Sequence, residues 1–172
     1  MKSIRLLPAL GFALVLTLTI ACREGGHGDD LSPVGKQRGP GSSHGHAGHH
    51  HTPPHGGAPV VLGAEAYHVE FVLDADTGRL RAYVLDGHME QFIRLPAPAL
   101  EVILNLPDGS QPLTLAAVAS AATGETVGDT SHFAGQTDAL RGRTNFPAVL
   151  SSITIRGQTF ENVAFDYPRG NE

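Results

Sequence analysis

Histidine is concentrated in one short stretch of the chain. Residues 42–57 read SSHGHAGHHHTPPHGG and contain six of the ten histidines, namely His44, His46, His49, His50, His51 and His55. Neutral imidazole is a common ligand of Zn²⁺, Cu²⁺ and Ni²⁺, and the glycines between the histidines let several rings reach one ion. The stretch therefore predicts binding of transition-metal ions, Cu or Zn, with a passive spacer as the alternative.

A second group of candidate ligands lies on the first predicted strands of the domain that follows. His68 and Glu70 are two residues apart and share one face of a strand, and His88 follows the partner strand. If His55 enters near the same end, then His55, His68, His88 and Glu70 converge. We therefore predict His68 and His88 as the metal ligands of the domain, and an ordinary polar strand face is the alternative.

Residues 1–21 have the pattern of a lipoprotein signal peptide. Two basic residues precede an apolar run over residues 6–20, which is shorter than the roughly 20 residues that a membrane-spanning helix needs. The dipeptide Ala21-Cys22 resembles the end of a lipobox, whose cysteine is acylated, and cleavage that leaves a thiol is the alternative. We expect acylated Cys22 to anchor the chain in the bacterial cell envelope, facing the periplasm, and Arg23 favours the outer membrane.

The rest of the chain divides into a tether and one domain. Residues 22–55 are rich in Gly, Pro and His and contain no apolar run longer than one residue, which predicts a disordered tether. Residues 56–172 contain repeated short apolar runs, which predict a single β-sandwich domain. This part has fourteen acidic residues and seven arginines. Because phosphate binding requires a basic surface, we expect no nucleic-acid partner.

Alternation of apolar and polar residues predicts an all-β domain, either an antiparallel β-sandwich or a small barrel, of six to seven strands. The predicted strands are 59–63, 67–74, 80–84, 100–106, 113–119, 148–156 and 159–167. The clearest hairpin places Phe71 opposite Ala82, which gives the pair one continuous apolar face. Between the later strands, Gly135–Arg143 is predicted as one short helix that Thr137 caps.

The sequence contains none of the common catalytic motifs. It has no G-x-S-x-G, H-E-x-x-H or C-x-x-C motif and no glycine-rich phosphate loop. Asp129, Ser131 and His132 are close in sequence, but adjacency does not produce the geometry of a catalytic triad. We therefore predict that the protein is not an enzyme and uses no organic cofactor.

The segment over residues 54–88 resembles known envelope proteins. Its motif residues are Pro54-His55-Gly56-Gly57, Leu62-Gly63, Tyr67-His68-Val69-Glu70, Asp74, Thr77-Gly78, Tyr83 and Asp86-Gly87. They resemble a group of small, uncharacterised bacterial envelope lipoproteins, and the segment ahead of the core of heavy-metal efflux adaptors, the periplasmic components of RND pumps. No long helical hairpin follows in this sequence, so we do not expect the chain to be an adaptor itself. The resemblance implies a role in heavy-metal handling and an efflux component of the envelope as a partner.

Two functional hypotheses follow. The first is a lipid-anchored periplasmic protein that binds Cu or Zn ions and is accessory to heavy-metal handling or efflux. The second is a non-catalytic interaction module on a passive tether, in which the acidic domain recognises a basic protein surface and metal binding is incidental. Replacing every tether histidine would distinguish them, because only the first hypothesis requires imidazole.

Overall fold

Eight antiparallel strands form one sheet in the computed structural model of the chain, which describes residues 52–171. The strands are β1 (Ala58–Leu62), β2 (Tyr67–Asp74), β3 (Arg79–Asp86), β4 (Ala99–Leu106), β5 (Gly109–Ala117), β6 (His132–Gln136), β7 (Phe146–Ile155) and β8 (Gln158–Tyr167). Their order in the sheet is β1-β2-β3-β6-β5-β4-β7-β8. The all-β, antiparallel prediction is confirmed, and the sheet curls until it is nearly closed into a barrel.

The interior of the barrel follows from the alternation along its strands. Phe71 on β2 lies opposite Ala82 on β3, as predicted, and both side chains are buried in a single core together with Phe133, Leu104 and Leu150. Polar neighbours in the sequence then point to the outer face of the sheet. Register is well determined here because a shift by one residue would move every apolar side chain of the strand out of the core.

Strand β6 differs from the prediction. A short helix was expected over Gly135–Arg143, but Gly135 and Gln136 belong to β6, which pairs with β3 and β5. Within the predicted range, only Asp138–Leu140 is helical, as one 3-10 turn. Thr137 caps this turn, because its hydroxyl oxygen accepts a hydrogen bond from the backbone N–H of Ala139. The strand was missed because Phe133 is its only buried side chain, so it has no alternating pattern.

The segment that follows β3 folds back beside the end of that strand. The Asp86 carboxylate accepts hydrogen bonds from the backbone N–H groups of Glu90 at 2.9 Å and Gln91 at 3.2 Å, and this contact turns the chain back on itself. Ile93 then donates to the backbone of β3, and the side chains of Ile93 and Leu95 enter the core. The same segment places Phe92 beside Tyr83 of β3.

A side chain from the segment after β8 pairs with β1, the strand at the other end of the sheet. The backbone N–H of Val61 in β1 donates to Asn171 Oδ1 at 2.7 Å, and Asn171 Nδ2 donates to the Val61 carbonyl oxygen at 3.2 Å. The carboxamide thus takes the place of a peptide group on a neighbouring strand. Pairing of this kind satisfies backbone groups that an edge strand otherwise presents to solvent or to other chains.

Within residues 52–171, no helix has the length and apolar character needed to cross a membrane. The predicted signal peptide at residues 1–21 and Cys22 lie outside the described residues. So does most of the predicted tether at residues 22–55, including His44, His46, His49, His50 and His51.

We expect Asn171→Asp to lower the free energy of unfolding by about 1–2 kcal/mol at neutral pH. The carboxylate cannot donate to the Val61 carbonyl oxygen and would place a negative charge against it. Urea unfolding of both proteins measures the difference, and Asn145→Asp, at an exposed position before β7, is the matched control. Equal stability of Asn171→Asp and the wild type would show that the hydrogen bonds between the Asn171 carboxamide and Val61 do not stabilise the fold.

Candidate functional site

The segment Pro53–Gly57, which we call the strap, lies against the outer face of β2. The Gly56 N–H donates to the Pro53 carbonyl oxygen at 3.1 Å, and Gly56 has a φ of 67°, a conformation that favours glycine. A Cβ atom at Gly57 would collide with the carbonyl oxygen of Phe71, so only glycine allows this close approach. The two glycines after His55 therefore have a structural purpose, and the predicted domain boundary at Gly56 falls inside the strap.

A buried carboxylate holds the strap in place. Glu70 is 0% exposed, although it lies on the outer face of β2, and its Oε1 accepts hydrogen bonds from the backbone N–H groups of His55 and Gly57, both at 2.8 Å. Its Oε2 lies 2.8 Å from Nδ1 of the His55 ring. A buried carboxylate is stable only when it is well hydrogen-bonded, and here the strap supplies all three of these contacts.

The contact with Glu70 determines which nitrogen of His55 is able to bind a metal ion. A carboxylate has no proton to donate, so Nδ1 of His55 carries the hydrogen and donates it to Glu70. In the neutral ring, Nε2 then has the lone pair. Metal-binding histidines commonly have this arrangement, with one ring nitrogen on the ion and the other donating to a carboxylate. The His55 side chain is 37% exposed, and its contact with Glu70 orients the imidazole ring.

Aromatic stacking fixes the plane of the same imidazole. The His55 ring stacks on Tyr83 with a centroid separation of 3.9 Å, and the other face of Tyr83 stacks on His132 at 4.5 Å. Phe92 lies 5.8 Å from His55 and 6.3 Å from Tyr83, both centroid to centroid. Burial raises the pKa of Tyr83, so the phenol stays protonated at neutral pH and is a poor anionic ligand.

His68, predicted as a metal ligand, is buried beside this site. It lies opposite Leu85 on β3, as the hairpin register predicted, but its side chain is 0% exposed. Its Nδ1 lies 3.3 Å from the carbonyl oxygen of Asp86. The outer face of β2 is therefore polar, as predicted, but His68 and Glu70 on it are covered.

The structure brings together only part of the predicted ligand set. His55 and Glu70 are in direct contact, whereas His88 lies exposed in the turn after β3. Across residues 52–171, no group of three or more His, Cys, Asp and Glu side chains is arranged to hold a metal ion. Among the described candidates, His55 is therefore the one whose ring is oriented by contact with Glu70, and the other candidate ligands in the stretch before it lie outside the described residues.

Ser131 and His132 do not form a catalytic pair. The hydroxyl of Ser131 donates to Glu125 Oε1 at 2.6 Å, and Thr123 donates to Oε2 of the same carboxylate at 2.6 Å. Burial raises the pKa of Glu125, but these hydrogen bonds together outweigh it and lower the pKa to about 2. The network is structural, since it secures the chain at the start of β6, where His132 stacks on Tyr83.

Sequence reasoning did not identify the stack itself. Tyr83 lies on β3, but His132 comes from β6, a strand that was not predicted, and Phe92 comes from the segment that follows β3. The Nε2 atom of His132 is buried and has no hydrogen-bond partner in the described part of the chain. No sequence signal marks such a contact, because it depends on how β3 and β6 pair.

The half-buried His132 ring is expected to make stability depend on pH. Burial is the main cause that lowers the pKa of His132 below its ordinary value of 6.5, and the nearby Arg81 guanidinium lowers it further. The folded chain therefore takes up this proton at a lower pH than the unfolded chain, whose imidazole takes it up near pH 6.5. The stability that this ring contributes is complete above pH 6.5 and decreases as the pH falls below that value.

We expect His132→Phe to be at least as stable as the wild type at pH 7.5, because it removes a buried nitrogen that has no partner. Between pH 7 and 5 its stability should decrease less steeply, by up to about 1.4 kcal/mol per pH unit. Urea unfolding across this range measures both effects. Gln136→Phe, on the same strand, is the control without loss of an imidazole, and an unchanged slope in His132→Phe would contradict the assignment.

Comparison with known proteins adds no family to this description. No protein-family model, no curated protein and no solved structure matches the chain. The resemblance of residues 54–88 to envelope lipoproteins and efflux adaptors therefore stays a prediction from the motif residues. The case for a function depends on the geometry around His55 and Glu70.

Proposed function

We propose that the protein is a lipid-anchored, periplasm-facing protein that binds transition-metal ions, Cu or Zn, and is accessory to heavy-metal handling or efflux. The observation that carries the proposal is the contact between His55 Nδ1 and the buried Glu70 carboxylate. This contact orients the last histidine of the histidine-rich stretch before the domain begins. A passive spacer would not need an oriented imidazole at its end.

His55 and the histidines that precede it are close enough in the chain to bind one ion together. His51 precedes His55 by four residues, a length of chain that spans at most about 14 Å. Its ring and those of His49 and His50 therefore have the reach to share an ion with His55 Nε2. Because the strap and the stacking on Tyr83 already fix the His55 ring, binding an ion loses less conformational entropy than it would with flexible histidines alone.

The two other predicted domain ligands have different positions in this proposal. His88 is exposed, so it is accessible to an ion from solvent. His68 is 0% exposed, so an ion would reach it only if the residues around it moved. We therefore rank His55 first, His88 second and His68 third among the domain ligands.

Metal affinity of the full chain should depend on the Glu70–His55 contact. In Glu70→Gln the amide N–H group would face Nδ1, so that Nδ1 accepts and Nε2 carries the hydrogen, which removes the ligand atom. We expect the affinity for Cu(II) and Zn(II) to fall by about 10- to 100-fold. Competition with a chelator of known affinity measures this change.

Matched variants separate this effect from general damage to the domain. Glu90→Gln changes an exposed glutamate in the turn after β3 and should keep wild-type affinity. His55→Asn retains a donor toward Glu70 at the position of Nδ1 but has no second ring nitrogen, so it should lose affinity while the strap remains seated. Wild-type affinity in both Glu70→Gln and His55→Asn would remove the basis of the proposal.

The competing function, a protein-interaction module, also has support in the structure. Phe92 is 48% exposed and lies beside His55 and Tyr83, and exposed aromatic side chains are frequent contact residues at interfaces. Replacing His44, His46, His49, His50, His51 and His55 by serine tests between the two functions in cells. Normal growth of that variant under copper or zinc stress would favour the interaction module, and a loss of tolerance would favour metal binding.

A further inference from the structure

We infer that a groove between β4 and β7 binds an extended, acidic peptide segment of a partner protein. The groove lies between residues 94–100 and residues 152–157, and it shares no residue with the site around His55. The inference therefore goes beyond the proposed function and does not depend on it. It follows from an interrupted strand pairing, a cavity at the interruption, and the charge around that cavity.

Strands β4 and β7 are neighbours in the sheet, but they pair over only part of their length. Their ladder joins residues 102–104 to residues 148–150, although β4 begins at Ala99 and β7 continues to Ile155. On their other sides the same two strands stay paired, β4 with β5 from Ala99 and β7 with β8 up to Ile155. Because a strand offers backbone N–H and C=O groups to both neighbours, the unpaired ends direct such groups into the gap.

An irregularity in β7 and β8 accounts for the end of this ladder. Burial alternates along the first half of β7, but neither Ser151 nor Ser152 is buried, and the alternation resumes at Ile153. On β8, between the partners of the flanking residues, Asn162 has a φ of 53°, a conformation that asparagine adopts more readily than most residues. Irregularities of the β-bulge type bend a strand and interrupt its pairing. The Ser151 hydroxyl donates to Glu101 Oε1 at 3.1 Å, which links the two strands where their ladder ends.

A cavity of about 520 Å³ lies in this gap. Its volume falls within the range of roughly 300–1,000 Å³ that ligand pockets have. Its walls are mainly apolar and include Leu95, Leu100 and Ile153, which also belong to the core. A peptide that adds to a sheet gains affinity from backbone hydrogen bonds and specificity from pockets for alternate side chains. The gap offers both kinds of contact.

The charge around the cavity indicates the kind of peptide. Both charged side chains that line it are arginines, Arg94 and Arg156, whereas residues 56–172 as a whole contain fourteen acidic residues and seven arginines. Arg94 already donates to Asp129 and to the carbonyl oxygen of Thr123, so its charge is partly compensated. Arg156 is exposed in the turn between β7 and β8. We therefore expect Arg156 to pair with an acidic side chain of the peptide.

The test measures binding of the full chain to capped hexapeptides in which threonine and valine alternate and one central position is Glu, Gln or Lys. Fluorescence anisotropy of the labelled peptides gives the affinity. We expect the Glu peptide to bind about two- to fivefold more tightly than the Gln peptide, as for an exposed ion pair, and the Lys peptide to bind most weakly. Methylating the backbone nitrogens of the Glu peptide should weaken binding at least about tenfold, because it removes the hydrogen bonds of strand addition.

Charge reversal in the groove tests the assigned residue. Arg156→Glu should bind the Lys peptide more tightly than the Glu peptide, which reverses the preference of the wild type. Arg169→Glu changes another exposed arginine, outside the groove, and should keep the wild-type preference. Both substitutions are at exposed positions, so both variants should remain folded, which circular dichroism checks.

Each contrary outcome overturns the inference for a different reason. Absence of binding by all three peptides, or an unchanged preference in Arg156→Glu, would remove the groove as an acidic-peptide site. Equal binding of the methylated peptide would show that backbone pairing is not used. Self-association of the chain that Arg156→Glu abolishes would assign the groove to a second copy of the chain. None of these results would bear on metal binding at His55.

Discussion

A single buried carboxylate organises the outer face of this barrel. Glu70 lies on the polar side of β2 but has no contact with solvent, and removing a charge from water costs several kcal/mol unless hydrogen bonds replace the lost hydration. Its donors are two backbone N–H groups and one ring nitrogen, and all three belong to the strap. The carboxylate needs these donors to stay buried, and the strap is held against β2 by the same three hydrogen bonds.

Several residues of the motif in residues 54–88 are explained by the hydrogen bonds that they make in turns. Asp74 accepts hydrogen bonds from the N–H groups of Asp76 and Thr77, and Asp86 accepts them from the turn that follows β3. These residues shape the turns of the β1–β3 meander, as the glycines after His55 shape the strap. His55 and Glu70 differ from these turn residues, because they contact each other through their side chains. The motif thus describes a scaffold that seats one imidazole, and its turn residues carry no information about substrate.

The parts of the structure that could be predicted from the sequence are those with a local physical signal. The β2–β3 register was correct because Phe71 and its apolar neighbours leave only one pairing that buries them together. The burial of Glu70 was not predictable, because its cover comes from a Gly- and Pro-rich segment whose composition indicates a tether. The link between Val61 and Asn171 joins residues 110 positions apart, and no pattern along the chain reports it.

The hydrogen bond between His55 Nδ1 and Glu70 links the position of the strap to the proposed ligand atom, Nε2 of the same ring. An ion on Nε2 of His55 would withdraw electron density from the ring and make the Nδ1 hydrogen a stronger donor to Glu70. Seating of the strap, in turn, fixes the tautomer that leaves Nε2 able to bind. Binding equilibria that share a contact are coupled reciprocally, so an ion that prefers the seated strap must stabilise it to the same degree. Under the proposed function, ion binding at His55 and the position of the strap would therefore stabilise each other, because both depend on the contact between His55 and Glu70.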